Sequence, residues 1–248
     1  MKRAVLGVLI GVILFAKSGE EVAKAGYEKI SGYKSSIEKT TMILKNAQGD
    51  ENLRKLEIKK LEGKNGDRSL LVFLYPSDLK GTKLLSYEVI GGDDRQWLYL
   101  PALKRVKRIS SRNKSGSFMA SEFSYEDISS QNYKNYTYQK EAEEVEIKGR
   151  RYYKVERIPK DPHSGYSKQI IYYDMKENLP RFGEFYDKNG RVLKKISFDR
   201  YEKIGNIYRV HKITIKNVQN QKESILTWES DKIDAGLEKK DFSKRVLR

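Results

Sequence analysis

The sequence contains no cysteine and only two histidines among its 248 residues. Without cysteine there is no disulfide framework and no thiol to carry a lipid, so an exported form must be stabilised by an ordinary core. His163 and His211 alone are too few for a zinc site or a histidine-based triad. The chain also lacks a Walker loop, a nucleophile elbow and a G-x-G-x-x-G turn. These absences disfavour an enzyme, and the sequence predicts no catalytic residue, no metal and no cofactor.

The neighbouring carboxylates have simpler interpretations than acid/base chemistry. Asp93 and Asp94 follow a Gly-Gly pair, which is typical of a turn between strands. Ser124 is followed three residues later by Asp127, the spacing of a capping box. This spacing predicts a helix from Ser124 to about Tyr133.

Only the N-terminus has a long apolar run. A positive start at Met1-Lys2-Arg3 precedes an uninterrupted apolar stretch from Ala4 to Phe15, and Ala16 and Ser18 place small residues at −3 and −1 of a cut before Gly19. This pattern predicts a secretory signal peptide over residues 1–18 and a mature domain over residues 19–248. An uncleaved anchor is the alternative, although the run is shorter than the ~20 residues that cross a bilayer. We therefore expect a soluble protein outside the cytoplasm.

Acidic residues are outnumbered by basic residues in this sequence. The formal net charge is +16, and loss of Lys2, Arg3 and Lys17 with the signal peptide leaves +13. A basic exported protein is attracted to anionic surfaces such as lipid headgroups and cell-wall polymers. Nucleic acid is disfavoured as a partner, because the chain is exported and its basic residues are spread over many strands. A charged surface that only solubilises the protein is the alternative.

Apolar and charged residues alternate in short runs from Ser36 to Glu229, and turn signals such as Asn65-Gly66 separate them. No linker or repeat divides the chain, so we expect one mainly β domain with a curved antiparallel sheet of about ten strands. An amphipathic helix is predicted at Glu20–Ile30, and it should lie with the Ser124 helix on the concave side of the sheet.

The run from Leu70 to Tyr75 is apolar on both alternating faces, unlike the half-charged strands around it. Such a strand must be covered on both sides. The cover is either the two predicted helices or a cavity that a ligand fills; a plain sandwich core explains the periodicity equally well.

Four ordered motifs resemble the exported outer membrane lipoprotein-sorting protein family, which is related to LolA. They are Pro76–Thr82 (PSDLKGT), Asp93-Asp94 with Gln96–Leu103 (QWLYLPAL), Arg108–Ser110 (RIS) and Ser117–Asp127 (SFMASEFSYED). The closest likeness covers about residues 68–130. Ala120 stands where the family has glycine and Glu122 where it has aspartate. Ala120 therefore argues against an unusual backbone angle at this turn.

The resemblance implies a half-open β-barrel of the LolA/LolB type, in which helices form a lid over a hydrophobic cavity. It also implies a periplasmic carrier that binds lipid or lipoprotein acyl chains and moves them toward the outer membrane, with an inner-membrane exporter and an outer-membrane acceptor as partners. The alternative is an accessory module that docks to a resistance-nodulation-division type lipid exporter without carrying cargo. A secreted hydrolase would need a polar cluster that the sequence does not show.

Within this likeness, two sets of residues are candidates for function. Large apolar side chains are candidates for lipid contact, with plain core packing as the alternative. These are Phe73, Trp97, Tyr99, Phe118, Met119 and Phe123. A basic group is the candidate for contact with an anionic surface or a partner, with a solvated strand face as the alternative. It consists of Lys104, Arg105, Lys107, Arg108 and Arg112.

Overall fold

The computed structural model describes residues 16–129 and 131–247. The apolar run of the predicted signal peptide, up to Phe15, lies outside the described residues. Within the described part, no helix is both long and apolar enough to cross a bilayer.

The first element among the described residues is helix α1, Gly19–Ile30. A capping box starts it: the Glu21 backbone N–H donates to Ser18 Oγ (3.1 Å), and the Ser18 backbone N–H donates to the Glu21 carboxylate (2.8 Å). These bonds satisfy amide groups that have no partner inside the helix. The Ala142 N–H also donates to the Lys17 carbonyl at 2.8 Å. Cleavage directly after Ser18 would remove the capping box and the bond between Ala142 and Lys17.

Fourteen antiparallel strands follow in the described part of the chain, more than the roughly ten expected. They are β1 (Ser35–Lys45), β2 (Glu51–Leu61), β3 (Arg68–Tyr75), β4 (Lys83–Tyr87), β5 (Arg95–Leu100), β6 (Arg105–Ile109), β7 (Tyr136–Thr137), β8 (Glu143–Ile147), β9 (Arg150–Pro159), β10 (Lys168–Asp174), β11 (Pro180–Tyr186), β12 (Val192–Ile204), β13 (Ile207–Asn217) and β14 (Glu223–Ile233). Short 3-10 turns lie at Pro101–Leu103, Ser111–Asn113, Tyr133–Asn135, Lys239–Phe242 and Lys244–Leu247.

All strands belong to one open sheet with the order β6-β5-β4-β3-β2-β1-β14-β13-β12-β11-β10-β9-β7, and β8 pairs with β9. The sheet consists of two meanders. β1 to β6 form the first meander, β7 to β14 form the second, and they meet where β1 pairs with β14. We call this β1–β14 pairing the seam. A β-bulge interrupts it between Lys39 and Thr40.

Strand β8 has an unfavourable composition for a strand, since glutamate is depleted in strands and three of its five residues are glutamates. The neighbouring strand β9 supplies cations that pair with these glutamates. Lys154 Nζ lies 2.7 Å from the Glu143 carboxylate, and Arg151 Nη2 lies 2.6 Å from that of Glu144.

The main core lies on the concave face of the sheet. Helix α1 contributes Val22 and Ala23, and residues 117–129, which we call the inner segment, contribute Phe118 and Phe123. These residues pack on buried side chains from both meanders, among them Phe73. The inner segment thus covers the concave face as the predicted second helix was expected to do.

The prediction of a helix from Ser124 to Tyr133 is wrong. The expected local bonds are present: the Asp127 N–H donates to Ser124 Oγ (3.2 Å), and the Ser124 N–H donates to the Asp127 carboxylate (2.8 Å). They close a single turn that does not propagate. The residues that follow include Ser129 and Asn132, whose side chains compete for backbone hydrogen bonds.

Strand β3 is covered on both faces, as its two apolar faces require. Leu71 and Phe73 belong to the main core. Leu70 faces the other way, into a second cluster that contains the buried Phe242 and Leu247. The outer cover is therefore neither a helix nor a cavity but residues 235–247, which we call the C-terminal segment.

The turn in the inner segment contradicts the expectation drawn from Ala120. Met119 and Ala120 both have left-handed backbone angles, with φ of 50° and 62°. Hydrogen bonds impose this conformation: the Ser121 N–H donates to the Phe118 carbonyl at 3.0 Å, and the Arg54 guanidinium donates to the Met119 carbonyl.

We expect Ala120→Gly to stabilise the protein. A left-handed backbone angle costs a non-glycine residue roughly 1–2 kcal/mol, and glycine removes this cost. The greater conformational entropy of glycine in the unfolded chain offsets part of the stabilisation. The free energy of unfolding should rise by roughly 0.5–1 kcal/mol in urea titrations. Ala102→Gly is the control, because Ala102 lies exposed in a 3-10 turn and does not have a positive φ. That substitution should destabilise; a loss of stability at Ala120 as well would contradict the strain argument.

Truncation of Phe242 should show how much the C-terminal segment stabilises the sheet. Phe242 is fully buried, so Phe242→Ala should lower the free energy of unfolding by about 3–5 kcal/mol. Leu103, which is 63% exposed, serves as control, and Leu103→Ala should change stability by less than about 0.5 kcal/mol. Equal effects of the two substitutions would mean that the segment is only loosely attached.

Candidate functional site

A cavity of about 260 Å³ lies on the concave face between the two meanders, beside α1 and the inner segment. Apolar side chains from both meanders and from the inner segment form its walls. These are Ile58, Leu71, Leu84, Phe123, Ile128, Phe198, Ile213, Leu226 and Trp228. Helix α1 adds Tyr27 and Ile30 at one side.

Polarity increases along the cavity, and the strand register explains why. On β2 the concave face runs from Ile58 to Lys60, and then to Glu62 beyond the strand end. The concave residues of β3 and β4 change in the same direction, from Leu71 to Ser69 and from Leu84 to Ser86. The cavity thus has an apolar end, near the inner segment, and a polar end.

At the polar end a fully buried carboxylate is held by four partners. Glu38 accepts hydrogen bonds from Arg209 Nη2 (2.6 Å), Trp228 Nε1 (2.6 Å) and Ser36 Oγ (2.7 Å), and Lys60 Nζ lies 3.5 Å away. Burial alone would raise the pKa of Glu38, but Lys60, Arg209 and the hydrogen bonds lower it to about 2. The carboxylate is therefore ionised at neutral pH.

Arg209 completes this group. It donates to both oxygens of Asp231, at 2.6 and 3.3 Å, and its guanidinium lies 4.3 Å from the centre of the Tyr33 ring. Burial would lower the pKa of Arg209, whereas Glu38 and Asp231 raise it above its usual range. Together with the half-exposed Lys60, two cations face two anions, so the formal charges of the group cancel.

The rim of the polar end is acidic. Glu62 accepts hydrogen bonds from the backbone of Gly32 at 2.9 Å and of Lys34 at 3.1 Å. Glu88 accepts one from the Asp67 N–H at 2.9 Å. Burial, and then the Glu88 charge, raise the pKa of Asp67 to about 7. These carboxylates brace loops around the opening.

A second polar group ties the inner segment to the second meander. Lys194 Nζ lies 2.8 Å from the Asp127 carboxylate, which also accepts from the Tyr166 hydroxyl at 2.9 Å. Glu126 accepts from Ser164 Oγ at 2.7 Å. Burial and the neighbouring Asp127 raise the pKa of Glu126 to about 6. Glu126 and Asp127 thus have a structural role.

The first meander holds the same segment from the other side. Gln96 Nε2 donates to the Tyr125 carbonyl at 3.0 Å, alongside the bond from Arg54 to Met119. On the second meander, the Glu122 N–H donates to Ser224 Oγ at 2.9 Å. The inner segment therefore spans the concave face from one meander to the other.

The structure brings four of the six lipid-contact candidates together. Phe123 lines the cavity. Phe73 and Phe118 pack against each other beneath it, with ring centroids 5.8 Å apart, and both are fully buried. Met119 packs at the edge of the same core.

The other two candidates, Trp97 and Tyr99, lie on the opposite face of the sheet. They belong to the cluster under the C-terminal segment, where Lys244 Nζ lies 4.4 Å from the centre of the Trp97 ring. Sequence reasoning missed most of the cavity wall, for example Phe198 and Ile213. Both alternate with charged residues on their strands, but alternation alone does not say which face of a sheet is concave.

The basic candidates lie on and beside β6, at one end of the sheet. All five are exposed, and within the described residues none of them forms an ion pair or a side-chain hydrogen bond. They are Lys104, Arg105, Lys107, Arg108 and Arg112. Elsewhere in the described structure, no group of three or more acidic or histidine side chains is arranged to hold a metal ion.

The raised pKa of Asp67 predicts a pH dependence of stability. An unfolded aspartate has a pKa of about 3.9, so between pH 4 and 7 the folded chain binds more protons than the unfolded chain. Stability should therefore fall as pH rises through this range. The free energy of unfolding should decrease between pH 5 and pH 8, and Asp67→Asn should make this decrease smaller by roughly 1–2 kcal/mol, allowing for the partial exposure of Asp67. Urea unfolding at both pH values measures it. Exposed Asp78→Asn should keep the wild-type fall, and an equal fall in all three proteins would contradict the assignment.

Two solved structures resemble this chain in sequence and fold. A domain described as an outer membrane lipoprotein-sorting protein domain, from Vibrio parahaemolyticus, is 41% identical with a TM-score of 0.86; the match covers 92% of this chain and 97% of that one. A DUF1329 family protein from Desulfovibrio piger is 30% identical with a TM-score of 0.86, covering 93% and 98%.

A LolA superfamily protein from Nitrosomonas europaea shares the fold, with a TM-score of 0.76 at 19% identity over 93% of this chain and 99% of that one. No curated protein matches the chain. A family model described as "Uncharacterized protein" matches residues 65–248. The sequence identity between this protein and the Vibrio domain extends over nearly the whole of both chains. The protein therefore belongs to the outer membrane lipoprotein-sorting protein family, and it has a LolA-like fold.

Proposed function

We propose that this protein is a periplasmic carrier that holds an acyl chain of a lipid or lipoprotein in the cavity between its meanders and moves it toward the outer membrane. The observation that carries the proposal is the apolar cavity on the concave face, with walls from both meanders and from the inner segment. Membership of a lipoprotein-sorting family supports the same assignment.

The gradient of polarity fits an amphiphile. An acyl chain among Ile58, Leu84 and Ile213 would leave water, and each buried methylene contributes about 0.8 kcal/mol. The polar part of the cargo would remain at the rim near Glu62 and Asp67. Binding of this kind depends on apolar area and requires no specific polar contact, so it tolerates variation in the cargo.

The size of the cavity indicates that loading requires an opening movement. Its volume of about 260 Å³ lies just below the roughly 300–1,000 Å³ of pockets that enclose a drug-sized ligand. Helix α1 is closely packed on the second meander, where the Asn178 side chain donates to the Val22 carbonyl at 2.8 Å. The inner segment bridges both meanders. In our proposal these two elements form the lid, and a change in the angle between the meanders about the seam admits the chain.

Lipid retention tests the proposal. Ile213→Trp should fill cavity space and lower the lipid that copurifies with the protein severalfold, at a stability cost of about 1–3 kcal/mol. Ile225→Trp is the matched control, because Ile225 lies on β14 next to cavity-lining Leu226 and points to the opposite face. Mass spectrometry of extracted lipids, normalised to folded protein, gives the measurement.

Three results are informative. Lipid in wild type and in Ile225→Trp, with loss in Ile213→Trp, supports the carrier. Equal lipid in all three proteins means that it binds elsewhere. No lipid in the wild type, before or after incubation with phospholipid vesicles, contradicts the carrier and favours a module that docks to an exporter without cargo.

A further inference from the structure

Strand β6 is an open edge of the sheet. It pairs with β5 on one side, from Gln96↔Ile109 to Leu100↔Arg105, and it ends the strand order. No backbone hydrogen bond links residues 105–109 to any other described segment. Alternate residues of an edge strand direct their N–H and C=O groups outward, where another strand can bind them.

The same strand is exposed on its faces as well as at its edge. Four of its five residues are exposed, and only Ile109 is buried. Val106 is 46% exposed, and the neighbouring Leu103 is 63% exposed. Added to the outward backbone groups, these apolar side chains are available to a partner strand.

The charge of this edge is not neutralised. Arg105, Lys107 and Arg108, with Lys104 and Arg112 beside the strand, have no acidic partner in the described structure. The opposite end of the sheet differs. There β7 has only two residues, and the β8 glutamates Glu143 and Glu144 already pair with β9. Strand β6 thus combines an open edge with a cluster of positive charge that no acidic side chain of the described residues neutralises.

The cations point to both faces of the sheet. Directly paired residues share a face, so Lys107 lies on the side of Leu98 in the main core, and Arg108 lies on the side of Trp97 in the outer cluster. A flat membrane laid against one face would leave the cations of the other face in water. A strand added in the plane of the sheet places its alternating side chains against both sets.

We propose that β6 is the docking site for an acidic, extended segment of a partner protein, which adds to the sheet as a fifteenth strand. Backbone hydrogen bonds along the edge provide the affinity, and carboxylates opposite Arg105, Lys107 and Arg108 provide the selectivity. The site is on the rim of the sheet and uses no residue of the cavity wall, so docking and cargo binding are separable.

The test uses three blocked heptapeptides as probes. One is Val-Glu-Glu-Val-Glu-Glu-Val, which places glutamates on both faces of a strand, one has lysine in place of each glutamate, and one is the glutamate peptide with proline at its central position. Proline cannot donate to a ladder, so it interrupts strand addition while the acidic charge remains. Binding is followed by fluorescence anisotropy of labelled peptide at increasing salt, and by hydrogen exchange of residues 105–109.

The protein variants are matched in charge. Arg105→Gln/Lys107→Gln/Arg108→Gln removes three cations from β6. The control, Lys39→Gln/Lys55→Gln/Lys216→Gln, removes three exposed lysines from β1, β2 and β13, which have strands on both sides. We expect the glutamate peptide to bind, to slow hydrogen exchange in β6, and to lose about tenfold or more in affinity in the β6 variant but not in the control. Affinity should also fall with salt, because exposed charges are screened over about 8 Å at physiological ionic strength.

Other results overturn the proposal. Equal binding of the glutamate peptide and its proline counterpart would show attraction by charge without strand addition. Binding of phosphatidylglycerol vesicles that the β6 substitutions abolish, with no binding of peptide, would make the edge a membrane contact. No binding of either probe would mean that the lysines and arginines only protect an exposed edge from aggregation.

Discussion

The ion pair between Glu38 and Arg209 is the interaction on which the arrangement of the two meanders depends. Glu38 lies on β1 and Arg209 on β13, with Asp231 and Trp228 of the intervening β14 bonded to the same pair. Removal of one member of a buried pair typically costs 3–5 kcal/mol, since the other charge is then left without a partner. The pair also fixes the register of the seam, because a slip of one residue would turn Glu38 to the outer face.

The cavity results from the way in which the seam joins the two meanders. Each meander presents an apolar concave face, and the seam holds the faces at an angle that α1 and the inner segment fill only in part. Charge is divided accordingly. The buried ions at the polar end of the cavity balance one another, and the excess of lysine and arginine lies on the outer surface and on β6. A carrier whose excess positive charge lies outside the cavity can contact an anionic or acidic partner while its acyl chain stays inside the cavity.

Local patterns predicted much of this fold. Hairpin signals and alternation predicted a mainly β chain with a curved antiparallel sheet, and the two apolar faces of Leu70–Tyr75 predicted burial on both sides. Long-range features were not predictable. Nothing local joins β1 to β14, identifies the concave face, or assigns Trp97 to the outer cluster. Ala120 adopts a left-handed angle because distant Arg54 and nearby Ser121 bind the turn, and such contacts override residue preference.

The seam also bears on how the chain folds. Within the described strands it is the only pairing between segments far apart in sequence, since every other pairing joins strands that are adjacent or nearly adjacent in the chain. Hairpins form in about 1–10 µs, whereas distant contacts must first overcome the entropy of closing a long loop. Each meander can therefore assemble locally, and the same entropy argument predicts that docking of β1 on β14 is a later and slower step. Until that step, the apolar concave faces of both halves are open to solvent and available to chaperones or to aggregation.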